Sequence, residues 1–248
     1  MIKVPPTRTS GAKVLSEALS SEFSAGEIDL FDQVVKSRRS VRGFLHKRVP
    51  EHILKQVFET AGWAPSGTNV QPWYTCVASG EVRDNLRTSF LDRKANKIKP
   101  VYDHQSDGKT GDPWRERKRA CARALYGAMG IEWEDKEGRG RAAMRNYELF
   151  DAPHVAFLCM DEVFGIQSAC DVGMYAQTLM LAMAAHGIGS CAQGTMRDYP
   201  DLVRDAFDLE PSVKVLFGIS FGYEDVTTPA NAARTDRASL VDTVSFKG

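Results

Sequence analysis

Three guanidiniums and a hydroxyl fall within five residues at Arg38-Arg39-Ser40-Val41-Arg42. Arginine forks match phosphate oxygens in bidentate geometry, and like charges held this close repel unless an anion offsets them. The cluster therefore reads as an anion site, with a solvated basic turn as the alternative. A second group, Pro65-Ser66-Gly67-Thr68-Asn69 with Gln71-Pro72-Trp73, offers small hydrogen-bonding residues on a loop. Such a loop can present amides and hydroxyls to a flat polar ring, or be an ordinary turn. A third, Gly187-Ile188-Gly189-Ser190-Cys191-Ala192-Gln193-Gly194, lets a backbone approach a planar ligand closely. It follows a predicted helix rather than a strand, so it lacks the context of a dinucleotide-binding glycine motif. Arg234 and Arg237 close the set near the end of the chain, where by themselves they read as an exposed tail.

Other chemistries find less support. The histidines at 46, 52, 104, 154 and 186 show no metal-binding spacing, and no metal is expected. There is no P-loop and no nucleophile elbow. Cys76, Cys121, Cys159, Cys170 and Cys191 form no CxxC pair and read as buried free thiols in a reducing compartment. Cys191 has no partner histidine at a useful sequence distance, which argues against a nucleophile.

The 248 residues suffice for one large domain, and 43% hydrophobic with 26% charged residues is ordinary for a globular chain. Basic and acidic residues balance at 32 each, so neither nucleic acid nor an anionic membrane is an expected partner. No signal peptide is visible, and the most apolar stretch, 170–188, contains Asp171, Gln177 and His186. It falls short of the roughly 18 clean apolar residues of a membrane span and reads as a buried helix, with the cytoplasm as the expected location.

The elements that must carry these groups follow from periodicity. Residues 1–26 read as an N-terminal arm with a short helix, wrapped on a partner subunit, and 27–248 as one domain. Helices are expected at 30–37, from Pro50 to Gly62, at 81–97, 169–186 and 200–207. Strands are expected at 73–78, 154–160 and 213–223. The polar stretch 98–140, with Trp114, Tyr126 and Trp133, reads as an insertion that is either a lid or pocket element or a surface excursion. Strands and helices around one sheet imply an α/β or α+β class.

The order RRSVR, APSGTNVQPW, AQTLMLAMAAHGIGSCAQG, VLFGISFGYED and then the late arginines resembles the nitroreductase family over roughly residues 28–246. The insertion running into RNYELFDAPHVAFLCMD is similar to the branch of nitrobenzoate and nitroaromatic reductases. The resemblance implies an α+β fold with a central, mostly antiparallel sheet flanked by helices, built as an intertwined homodimer. It implies FMN at the subunit interface and NADH or NADPH as reductant. It assigns Arg38, Arg39, Ser40 and Arg42 to the flavin, with Arg39 as the candidate positive charge beside the N1–C2=O edge. Pro65, Ser66, Asn69 and Gln71 would reach the flavin from the other subunit. Ala192, Gln193 and Gly194 would pass the isoalloxazine, and Arg237, with Arg234 beside it, would hold the phosphate. The implied activity is ping-pong hydride transfer through flavin N5 to a small aromatic acceptor, nitroaromatic or quinone, with no side chain named as catalytic. Two alternatives stay open: a flavin-dependent reductive dehalogenase or other FMN dehydrogenase, and a flavin-binding protein without turnover. The Glu-Tyr-Lys trio of iodotyrosine-deiodinating relatives has no convincing match here.

Overall fold

A computed structural model describes residues 23–105 and 108–248. Seven α-helices and four strands occur among the described residues: α1 (Ala25–Ser37), α2 (Glu51–Ala61), β1 (Tyr74–Ser79), α3 (Gly80–Ala95), α4 (Trp114–Ala128), α5 (Lys136–Met144), β2 (His154–Asp161), α6 (Ile166–Ala185), β3 (Gly189–Gln193), α7 (Pro200–Ala206) and β4 (Val213–Gly222). The sheet order is β1-β2-β4-β3 with every pair antiparallel.

Both faces of the sheet are covered, because alternate residues of β2 point opposite ways. Ala156, Leu158 and Met160 enter one core with Val57 and Ala61 of α2 and Val172, Leu179 and Met183 of α6. Val155, Phe157 and Cys159 enter the other, with Leu86 and Phe90 of α3 and Val203 of α7. Two-sided burial is why 154–160 is apolar throughout rather than alternating. His154 lies within this frame at 2% exposure, accepting from Val49 N at its Nε2 (3.0 Å). That fixes the proton on Nδ1, which faces Ser79 Oγ. Burial, with Arg48 and Arg83 nearby, depresses its pKa to about 4, so the ring is neutral near pH 7.

Four expectations change. The glycine-rich run holds a strand beyond the three expected: Gly189–Gln193 is the edge strand β3. Its pattern hid this because two of its three buried residues, Ser190 and Gln193, are polar. The first helix starts at Ala25, not 30, so the 26/27 boundary of the expected arm falls inside it; residues 1–22 of that arm lie outside the described residues. Its signal is the capping box Ser24/Glu27, in which each side chain bonds the other residue's backbone N–H. The insertion does not end at 140, since α5 continues to Met144. Finally, Cys76, Cys159 and Cys191 are buried free thiols as expected, whereas Cys121 and Cys170 are exposed.

Candidate functional site

The arginine wall is an extended segment laid against the sheet. The chain leaves α1 at Arg38 and runs beside β3, with Ser40 bridged to Ser190 and Val41 N donating to Ser190 O (3.0 Å). Phe44 is bridged to Glu224, and Leu45 N donates to Tyr223 O (2.9 Å). Extended geometry alternates side chains, so Val41 is buried at 3% while its neighbours Ser40 and Arg42 stay accessible. The approach depends on Gly189, where a Cβ would lie 2.8 Å from Val41 Cγ2.

Asn231 clamps the late arginines to this wall. Its buried side chain accepts from Arg42 N (2.6 Å) and donates to Gly43 O (2.9 Å) and Asp225 O (2.8 Å). The chain then carries Arg234 and Arg237 alongside. Arg234 Nη1 donates to the carbonyls of Asn231 and Ala233 (2.8 and 2.9 Å), and Arg237 Nη1 to Thr235 O (3.1 Å). The result is a cleft of about 690 Å³ lined by Arg38, Arg39, Ser40, Arg42, Arg234 and Arg237, with Cys121 at its edge. Thus residues almost 200 positions apart meet, as the resemblance implied.

Two observations test what this cleft can hold. Arg39 spends Nη2 on Glu224, while its Nη1 is buried with no hydrogen-bond partner. An orphaned buried guanidinium N–H is costly unless an acceptor meets it. The donor set is also dominated by guanidinium forks suited to a phosphate. A phosphorylated flavin fits this donor set. Cys191, just behind the wall, is unsuited to nucleophilic work, because burial pushes its thiol up despite the opposing influence of Arg42, Ser40 and Arg38.

The loop 65–71 is elsewhere. Its Gly67 N donates to Asp171 Oδ2 (3.2 Å) near the start of α6, and Ser66 Oγ accepts from Gln71 N (3.0 Å). Thr68, Asn69 and Gln71 have φ of +49°, +57° and +49°, a left-handed conformation unusual for non-glycine residues and typical of ligand-contacting loops. Ala185 lies 14 helical steps beyond Asp171 (185 − 171), so at about 1.5 Å per step the loop anchor lies about 20 Å along α6 from the helix end that leads into the Gly187 turn beside the wall. None of Pro65, Ser66, Asn69 or Gln71 lines the arginine cleft of the same chain.

Of the third group, Gln193 points inward: its Nε2 donates to Asn146 O (2.9 Å) and its Oε1 accepts from Ser220 Oγ. Its side chain is therefore engaged within the fold, while Ala192 and Gly194 on either side of it are exposed. Trp114, Tyr126 and Trp133 do not line the arginine cleft; Trp133 packs on Tyr126 with Arg123 and Arg139 over its ring. Sequence reading did not single out Asn231, Asp171 or Glu224 as site residues. Glu224 lies within the motif VLFGISFGYED and Asn231 just ahead of the late arginines, but their roles depend on tertiary hydrogen bonds that spacing does not reveal.

Comparison with known proteins follows the same outline. The model of the Nitroreductase family matches residues 35–223. The nitroreductase NfnB of Mycolicibacterium smegmatis is 39% identical over 215 residues, covering 87% of this chain and 92% of that protein. A 4-nitrobenzoate reductase of a Nocardioides species is 33% identical over 225 residues, covering 88% of this chain and 90% of that protein. The crystal structure of the FMN-dependent nitroreductase NfnB from Mycobacterium smegmatis in complex with NADPH aligns with a TM-score of 0.85 at 38% identity, covering 90% of this chain and 100% of that one.

Proposed function

The chain belongs to the nitroreductase family, and from that premise we propose that it is an FMN-dependent NAD(P)H oxidoreductase that reduces small nitroaromatic or quinone acceptors as a homodimer. The observation that carries the reading is the arginine cleft with its unpartnered Arg39 Nη1. FMN, when bound, supplies the hydride-transfer chemistry, and the protein supplies binding, orientation and electrostatics. Arg38, Arg42, Arg234 and Arg237 hold the phosphate, with Ser40 as a further donor. Arg39, tempered by Glu224, directs positive charge toward the flavin. Ala192, Gln193 and Gly194 pass the flavin ring with their backbone. No side chain is assigned as acid or base.

Pro65, Ser66, Asn69 and Gln71 act from the second copy. Their distance along α6 from the wall supports this, and so does the apolar surface a single chain leaves open. Ile28, Leu30 and Phe31 of α1, with Leu240, Val241 and Phe246 near the end of the chain, are 55% to 85% exposed. Such surface marks an interface in a folded protein. Among the described residues no helix is long and apolar enough to cross a membrane. Five free cysteines support a reducing location, the cytoplasm.

The test is a visible spectrum of the purified protein followed by NADPH or NADH oxidation with 4-nitrobenzoate as acceptor. A yellow protein that consumes reductant only when acceptor is added agrees with the proposal. A colourless protein that takes up no FMN overturns it.

A further inference from the structure

The arginine cleft does not end at the flavin wall. A second cleft, of about 730 Å³, shares Cys121, Arg234, Thr235 and Arg237 with it and continues along α4 past Arg117, Ala120 and Ala124. Residues 117, 120, 121 and 124 recur at helical spacing and so share one face of α4. Three of them are small, which opens the floor of the cleft, and the fourth carries a guanidinium.

The charge here exceeds what one phosphate needs. Among the described residues no carboxylate pairs with Arg38, Arg42, Arg234 or Arg237, and the side-chain hydrogen bonds of the last three go to backbone or hydroxyl oxygens. A phosphate monoester carries only about two negative charges. Arg117 extends the excess. The other arginines of α4 are paired, Arg115 with Asp112 and both Arg119 and Arg123 with Glu116, whereas exposed Arg117 has no acidic partner among the described residues. Asp236 also lines the second cleft and offsets part of this charge. An array of unpaired guanidiniums repels itself unless a second anion enters.

We propose that the second cleft is a subsite for the 2′-phosphate of NADPH, with Arg117 as the residue that discriminates NADPH from NADH and Arg237 shared between the two phosphates. The reductant's other phosphates are diesters of the pyrophosphate bridge, common to both dinucleotides, so only the 2′-monoester gives a fork at this position something to select. This rests on the reading of the chain as an FMN-dependent NAD(P)H oxidoreductase.

The experiment uses FMN-loaded enzyme and its Arg117→Ala and Arg117→Lys variants. Adenosine 2′,5′-bisphosphate and adenosine 5′-monophosphate are titrated by calorimetry, and kcat/KM is measured with NADPH and NADH. The expected result is that the bisphosphate binds at least tenfold more tightly than the monophosphate. Arg117→Ala should remove that difference, with Arg117→Lys keeping part of it. The NADPH to NADH ratio of kcat/KM should fall tenfold or more in Arg117→Ala. Equal binding of the two probes, no binding of the bisphosphate, or an unchanged ratio in Arg117→Ala each overturns the assignment. FMN content, read from the visible spectrum of the same samples, separates these outcomes from failure of the flavin site itself.

Discussion

The arginine wall and the loop 65–71 are assigned to one ligand, yet they are built differently. The wall is finished within one chain: Val41 and Phe44 are buried, Ser40 is bridged to β3, and Asn231 fastens it to the segment carrying Arg234 and Arg237. The loop is exposed, holds three non-glycine residues at positive φ, and depends for its position on Asp171. A phosphate site needs several guanidiniums aimed at one point, which only a fixed scaffold gives. A loop that meets a ring across an interface can carry strain, because the partner and ligand complete its surroundings. The difference implies that loss of a wall contact weakens binding more than loss of a comparable contact at the loop.

The largest effect is expected at the clamp. Asn231→Ala leaves Arg42 N, Gly43 O and Asp225 O without their side-chain partner, a loss of about 3 kcal/mol. Denaturant midpoint and flavin content should fall together; a stable protein with full FMN would break the account of the wall. A change in neither region serves as a control. His154 binds its proton in the unfolded chain near pH 6.5 but in the folded one only near 4. Its stabilising contribution is thus present above pH 6.5 and lost as pH falls from 6.5 toward 4, about 3 kcal/mol in all. Equilibrium unfolding across that range should show the slope, and His154→Gln should flatten it. Next come the wall's forks: Arg38→Ala and Arg237→Ala should each weaken FMN binding roughly 10- to 100-fold without lowering Tm, since each removes charge-assisted bonds from an open cleft. The smallest effect is at the loop anchor. Asp171→Ala should weaken FMN binding about fivefold, and Asp171→Asn, which keeps an acceptor for Gly67 N, should recover most of it. A larger loss at Asp171 than at Arg38 would reverse the ranking of the two regions.

How much of this was readable in the sequence varies with the kind of force involved. The two-sided burial of β2 and the apolar face of α2 are local patterns, and both elements appear close to their expected bounds. The arginine cluster, the late arginines and the loop were also visible as residue types at particular places. What was not readable is what tertiary hydrogen bonds decide. Ser190 and Gln193 are polar, so β3 did not look like a strand, although bonds such as that to Asn146 make their burial tolerable. Asn231 resembles any asparagine in a polar tail until its partners across nearly 190 residues are seen. Within the stretch read as lid, pocket element or surface excursion, Trp133 packs on Tyr126 with two arginines of its own neighbourhood over its ring, contacts that spacing likewise does not reveal.

The central claim is that one flavin site takes its wall from one copy and its loop from another, and mixing variants tests it directly. One variant carries Arg38→Ala with Arg237→Ala; the other carries Ser66→Glu. Each alone should hold little FMN. Unfolded together and refolded as a mixture, they should regain FMN in about a quarter of all sites, because random pairing makes half the dimers mixed and each mixed dimer has one site with intact wall and intact loop. Recovery near that level is the predicted result. No recovery, in a mixture shown to contain mixed dimers, would contradict the shared site.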